Sequence, residues 1–357
     1  MNDILTIIAA VFIFGVLVSI HELGHFIFAR LSGIKVIEFC IGMGPRIVKY
    51  DGKETIYSIR ALPIGGACMM QGEDDDDLRE GSFNSAPLIG RIATVAAGPI
   101  FNFILAFFMA LFIVANVGTD LSVVETVADG YPAQEAGIQP GDIITYIDNQ
   151  KITIYEDMNL YFYMYPGKTV NIMLNRPTTV DGQNTYEQIE IKSVTPKYDE
   201  TTGTYRIGIS ATGYAKVESI SDIIYYSAYQ VQYNISLVLK SLLMIVKRQV
   251  AADDIAGPVG IIGVIGETVS SSTPHGILVT MLSIASLMLL LSANLGVMNL
   301  LPIPALDGGR LLFLFIEAIT RRPINKKIEG YIHIGGFVLL MGLMALICFN
   351  DIRQLFF

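Results

Sequence analysis

With 357 residues the chain has room for one large domain or two of ordinary size. Half of it is hydrophobic (52%), only 16% is charged and the mean hydropathy is +0.52, a profile that comes from apolar runs near twenty residues rather than from an ordinary soluble enzyme. A formal net charge of −9 offers no basic face to phosphates, so a nucleic-acid partner is not expected.

The first apolar run is Ile4 to about Phe28, long enough at 1.5 Å per residue to cross a hydrocarbon core of roughly 30 Å. It lacks the basic n-region and small-residue cleavage site of a signal peptide and reads as a retained span. Further spans are expected at Ile92–Val117, Ile277–Leu301 and Tyr331–Phe349. Glu73 to Asp77 is an acidic run of the kind that forms a solvated loop.

Between the second and third runs, from about Leu121 to Ser210, the texture is that of a small soluble domain. Alternating stretches such as 169–174 and Ile189-Glu190-Ile191 read as strands, and Gly-Asp, Pro-Gly and Asp-Gly pairs punctuate them. Tyr155 to Tyr165 reads as a short helix. Ile223 to Val246 is apolar but carries Gln230, Gln232, Asn234 and Lys240, which favours a helix lying along the membrane surface over a fifth span. The expected division is 1–117, 118–213, 214–274 (surface helix and linker) and 275–357.

Basic residues near the ends of the runs set the expected orientation. Arg30, Lys35, Arg46 and Lys49 follow the first run, and Arg310, Arg321, Arg322, Lys326 and Lys327 lie between the last two. These loops belong in the cytoplasm, and the inserted domain lies outside. A fifth span at 223–246 would place the basic 310–327 loop outside, against that rule.

Cys40, Cys68 and Cys348 have no CxxC spacing, so they give neither a disulfide framework nor a cysteine metal site. The chemistry concentrates in His21-Glu22-Leu23-Gly24-His25. Residues four apart share a helix face, so both imidazoles can bind one ion, and Glu22 is placed to take a proton from a water the ion activates. Two His and a Glu inside an apolar span are costly and mark a functional site rather than a chance match. Gly24 eases close approach of another helix.

A catalytic Zn²⁺ usually takes three protein ligands. His275 falls at the wrong depth, His333 is not excluded by depth, and a carboxylate is the other option. Asp307 follows Pro302 and Pro304 at the inner end of the third span, a depth it shares with the His pair. It reads equally as a ligand or as a turn or N-cap residue, and the broken helix tilts the choice towards a site.

Taken together, these pieces resemble the bacterial site-2 proteases of the RseP type. The resemblance rests on HELGH at 21–25, Gly98-Pro99-Ile100-Phe101-Asn102, a PDZ-like string from Tyr131 to Asp148 with Gly137 and Gly141-Asp142, Gly257-Pro258-Val259-Gly260, and Asn294 through Gly309. It implies an α-helical polytopic membrane protein of about four transmembrane helices with one inserted, extracytoplasmic, β-rich PDZ domain. It also implies an intramembrane metalloendopeptidase in which His21, His25 and Asp307 bind Zn²⁺ and Glu22 is the general base.

The same resemblance places Asn102 near the zinc site and gives Asn299, with Asn294, a part in holding or polarising the substrate. Residues around 41–45 and 56–70 match loops that pair with an unwound substrate. Implied substrates are single-span membrane proteins already cut once, such as anti-sigma factors or remnant signal peptides, with a peptide at the PDZ groove. The alternatives are a non-catalytic PDZ membrane adaptor, which has no use for Glu22, and a zinc transporter, which needs a relay of ligands the spans lack.

Overall fold

The computed structural model describes residues 2–73, 77–180, 183–211, 213–249 and 257–356. The Asp181-Gly182 pair and most of the acidic run at 73–77 lie outside them. The chain divides into two compact units, residues 1–112 with 230–357, and residues 113–229.

The first unit is built on apolar helices. Among the described residues four helices are long and apolar enough to cross a membrane: α1 (Asn2–Leu31), α2 (Leu88–Val117), α7 (Ile277–Leu300) and α9 (Lys326–Phe356). They match the four expected runs: α7 ends one residue short of its run, and the other three extend a few residues beyond theirs. Helix α5 (Ile220–Val246) is not one of them. Helix α6 (Pro258–Ser272) occupies most of the stretch expected to be linker. Fifteen residues span only about 22 Å, short of a bilayer core. Its Ile265 and Val269 pack with Ala9, Ala10, Ile13 and Leu17 of α1 and Met288 of α7. Helix α8 (Asp307–Thr320) completes the unit.

Between α1 and α2 the chain forms a long hairpin, β1 (Val36–Asp51) and β2 (Ile56–Met70), antiparallel and repeatedly bulged. Its buried carboxylate, Glu38, accepts hydrogen bonds from Arg46, Ser58 and Arg60. The Arg46 guanidinium holds the Glu38 carboxyl down at about 2. The hairpin lies on α1. A Cβ at Gly66 would stand 3.0 Å from Val18 Cγ1 and 3.1 Å from Glu22 Cγ, so the β2 backbone passes directly beside Glu22.

The second unit carries the inserted domain. In chain order it contains β3 (Thr119–Asp120), β4 (Val124–Val127), α3 (Pro132–Glu135), β5 (Ile143–Ile147), β6 (Gln150–Lys151) and α4 (Tyr155–Met164). There follow β7 (Val170–Val180), β8 (Gln183–Val194), β9 (Lys197–Asp199), β10 (Thr204–Arg206), β11 (Ile209–Ala211) and β12 (Tyr214–Ala215). Strands β6-β5-β7-β8 form one antiparallel sheet, and β4 pairs with β11, β3 with β12 and β9 with β10.

Period-two burial on β7 sends Ile172 and Leu174 inward, and a register shift between Ile144 and Tyr146 on β5 lets both Ile144 and Ile147 face the same core, where they meet Met158, Tyr161 and Phe162 of α4 and Ala133 of α3. Gly137 and Gly141 hold positive φ, as turn glycines do. Asp142 beside them is fully buried, and Arg176 donates to both of its oxygens at 2.8 and 2.7 Å. Asp157 caps α4 by accepting from the backbone of Thr153 and Ile154, and Tyr229 of α5 donates to the same oxygen at 2.7 Å.

One acid in this unit is poorly served. Burial pushes Glu156 up to about 7, Asp120 and Asp157 add repulsion, and its Oε2 has no hydrogen-bond partner. Because the folded value lies above the ordinary 4.5, its stabilising contribution is complete below about pH 4.5 and lost as the pH rises through 7. Glu156→Gln is therefore expected to raise the thermal stability of the intact protein at pH 8, on the order of 1 kcal/mol for this incompletely buried group, and to change it little at pH 4. Melts of both proteins at the two pH values check this, and equal shifts at both would refute it.

Candidate metal centre

His21 and His25 sit on one face of α1, four residues apart, both buried. Their Nε2 atoms are 3.2 Å apart. Asp307 Oδ2 lies 3.1 Å from the first and 3.4 Å from the second. These are the only described His, Cys, Asp or Glu side chains that group as three potential metal donors.

The connection after α7 delivers Asp307. Pro302 and Pro304 prevent helix continuation, and Ala305 takes a positive φ of 74°. The chain then doubles back so tightly that a Cβ at Gly308 would lie 2.1 Å from Leu301 O, and one at Gly309 2.5 Å from Ile303 O. The Asp-Gly-Gly run is thus what the turn demands. The N-cap position of α8 falls on Leu306, so Asp307 is the first helical residue rather than the cap, and its Oδ2 lies beside the imidazoles.

Helix α2 backs the pair along a single stripe, Thr94, Gly98 and Asn102, spaced four apart. His25 Nδ1 lies 2.9 Å from Thr94 O, and His21 Nδ1 lies 2.9 Å from the side-chain amide of Asn102. Gly98 leaves room for both rings. Pro99, inside the helix, cannot make the helical hydrogen bond to Val95 O. Gly24 works as expected: a Cβ there would lie 2.4 Å from Ala97 O, so α1 and α2 touch backbone to backbone. Ser292 of α7 donates to Asn102 O at 2.7 Å.

The donor set fits Zn²⁺. Two ligands each about 2.0–2.1 Å from a tetrahedral ion stand about 3.3–3.4 Å apart, and the three observed separations are 3.1, 3.2 and 3.4 Å. Two imidazole lone pairs and a carboxylate oxygen at such distances repel unless a cation lies among them. Asp307 Oδ2 is correspondingly buried without a hydrogen-bond donor. Three such donors would leave a bound zinc one further coordination position for water. Glu22, half-buried one residue after His21, is the remaining acid of the motif.

The last span supports this loop. His333 is outside the donor group. Its Nδ1 accepts from Ala305 N–H at 2.9 Å, its ring packs against Phe313, and a Cβ at Gly336 would lie 2.4 Å from Pro304 Cβ. A cleft of about 350 Å³ opens beside Asp307, lined by Arg310, His333, Ile334 and Phe337 among others. Arg310 pairs with Glu73, and the half-buried pair Arg91–Glu317 ties α2 to α8 through two hydrogen bonds of 3.0 and 2.6 Å.

Of the asparagines, Asn102 is fully buried under His21, while Asn294 and Asn299 lie half-buried on the last two turns of α7. Sequence reasoning did not find the roles of Thr94, Gly98 and His333. The four-residue spacing from Asn102 is the signal that marks Gly98, whereas nothing in the sequence marks Thr94, which acts through its carbonyl, or His333 as a backbone partner.

The sequence profile of peptidase family M50 matches residues 9–343, a span holding both donor segments. The chain belongs to peptidase family M50. A Clostridium acetobutylicum protein named as a zinc metalloprotease is 37% identical over 97% of both chains. One of Staphylococcus aureus, similarly named, is 32% identical over the full length of both. The PDZ domain of an SdrC-like protein from Listeria monocytogenes is 30% identical over 26% of this chain and 88% of that one, with a TM-score of 0.20. As an M50 peptidase, the protein is a zinc-dependent metalloendopeptidase carrying apolar helices of membrane-spanning length.

Proposed function

We propose that this peptidase hydrolyses peptide bonds within or beside the membrane-spanning segments of other membrane proteins. In this reading His21, His25 and Asp307 hold the zinc and Glu22 is the general base. The observation that carries it is the triangle of three donors, two on an apolar helix long enough to cross a bilayer and the third, Asp307, at the start of α8. When bound, the ion supplies Lewis-acid polarisation of the scissile carbonyl and acidifies the attacking water. Glu22 takes the water's proton and delivers it to the amide nitrogen as the C–N bond breaks. Thr94 and Asn102 hold the two rings while this happens.

A helical peptide bond is shielded by its own hydrogen bonds and must be extended before attack. Residues 66–70 of β2 pair on one side only among the described residues, with 36–41 of β1, and Gly66 passes beside Glu22, so their other edge suits an added substrate strand. The distribution of Arg and Lys supports a zinc site towards the cytoplasm and the inserted domain outside. There a PDZ-type groove would screen single-span substrates already shortened by a first cut.

Asp307→Ala tests the ligand set. Zinc affinity of the purified variant is expected to fall by more than the ~100-fold that loss of an outer-shell partner costs, with cleavage lost. One zinc per chain retained at wild-type affinity would reject Asp307 as a ligand.

A further inference from the structure

The side chain of Asn102 presents a puzzle that the metal resolves. It is fully buried, its Nδ2 stands 2.9 Å from His21 Nδ1, and its Oδ1 has no hydrogen-bond partner. An imidazole that binds a metal through Nε2 keeps its lone pair there, so its proton sits on Nδ1. Nδ1–H and the amide NH₂ are both donors, and two donors do not hydrogen-bond. The two ends of a carboxamide have nearly the same shape, so its orientation follows from its partners. Turned by 180°, the amide oxygen meets Nδ1–H at the same place and gains the donor it otherwise lacks.

We infer that Asn102 is a positioning residue for His21, its amide oxygen accepting the Nδ1–H and fixing the tautomer whose Nε2 faces the zinc. His25 provides the independent parallel. Its Nδ1 lies 2.9 Å from Thr94 O, and a carbonyl can only accept, so the His25 proton is on Nδ1 and its Nε2 is free for metal. Thr94 and Asn102 are eight residues apart on α2, a little over two turns, so one helix face supplies an acceptor to each ring. The backbone does it for one and a side chain for the other. Ser292 fixes the backbone of Asn102 from α7. Full burial removes Asn102 from contact with a substrate, so its contribution passes through His21.

The inference rests on His21 and His25 being zinc ligands, and the experiment separates the two. Asn102→Leu keeps the volume and removes the acceptor, and Asn102→Asp restores an acceptor. Chelator competition on the purified proteins is expected to show zinc binding weakened 10–100-fold in the first and near wild type in the second. With four histidines in the chain, ¹⁵N spectra of the histidine-labelled, zinc-loaded wild type read the tautomer without any substitution. His21 is expected to show a hydrogen-bonded Nδ1–H and a metal-shifted Nε2. Wild-type zinc affinity in Asn102→Leu, or a His21 proton on Nε2, would overturn the inference. A zinc titration that moves neither His21 nor His25 would remove the ligand assignment and this inference with it.

Discussion

Glu22→Gln is expected to leave one zinc per chain and to lower kcat by about 10²–10⁴-fold, the range a positioned general base supplies. The two carboxamide and carboxyl side chains have the same shape, and Glu22 is not one of the three grouped donors, so the metal should be undisturbed. What disappears is the acceptor for the proton of the attacking water. Zinc analysis beside a progress curve for cleavage separates the two effects. A variant that cleaves at the wild-type rate would remove Glu22 from the mechanism, and one that loses its zinc would make it a ligand.

Gly98→Ala should do the reverse and act through the metal. A Cβ at Gly98 would lie 2.2 Å from His25 Nε2, 2.5 Å from His25 Cε1 and 2.8 Å from His21 Cε1. Neither ring can retreat, because each is tethered at Nδ1 to the same helix. The methyl group therefore occupies the space on which the donors converge. Zinc affinity is expected to fall by about 100-fold or more, with cleavage falling in parallel. Gly342→Ala on α9 is the matched control: a Cβ there meets nothing within 4 Å, and the change should stay within about 1 kcal/mol. Full zinc occupancy in Gly98→Ala, at wild-type affinity, would show that the helices part more easily than this packing allows.

The sequence made some parts of this molecule plain and concealed others for physical reasons. Long apolar runs announce helices of spanning length because a bilayer tolerates little else, so α1, α2, α7 and α9 fell close to the expected residues. The HExxH spacing announces two ligands because four residues make about one turn. Asp307 was ambiguous, since an Asp before two glycines serves a turn as well as a metal. Only the backbone closeness at Gly308 and Gly309, with the N-cap position falling on Leu306, separates those uses.

Helix α6 was missed because fifteen residues rich in Gly and Ser carry weak helical propensity, and it is packing of Ile265 and Val269 on α1 that accounts for it. Thr94 contributes through its carbonyl, which every residue possesses, so no sequence pattern reports it. His333 looked like a possible ligand and proves to be a clamp on Ala305 in the turn before Asp307.

The most direct test is to place the purified protein in lipid vesicles with a tagged single-span substrate and map the product ends by mass spectrometry, wild type beside Glu22→Gln. The expected result is a zinc-dependent product cut within or next to the substrate's apolar segment, made by the wild type alone. Cuts confined to the substrate's soluble parts, or the same product from Glu22→Gln, would contradict it.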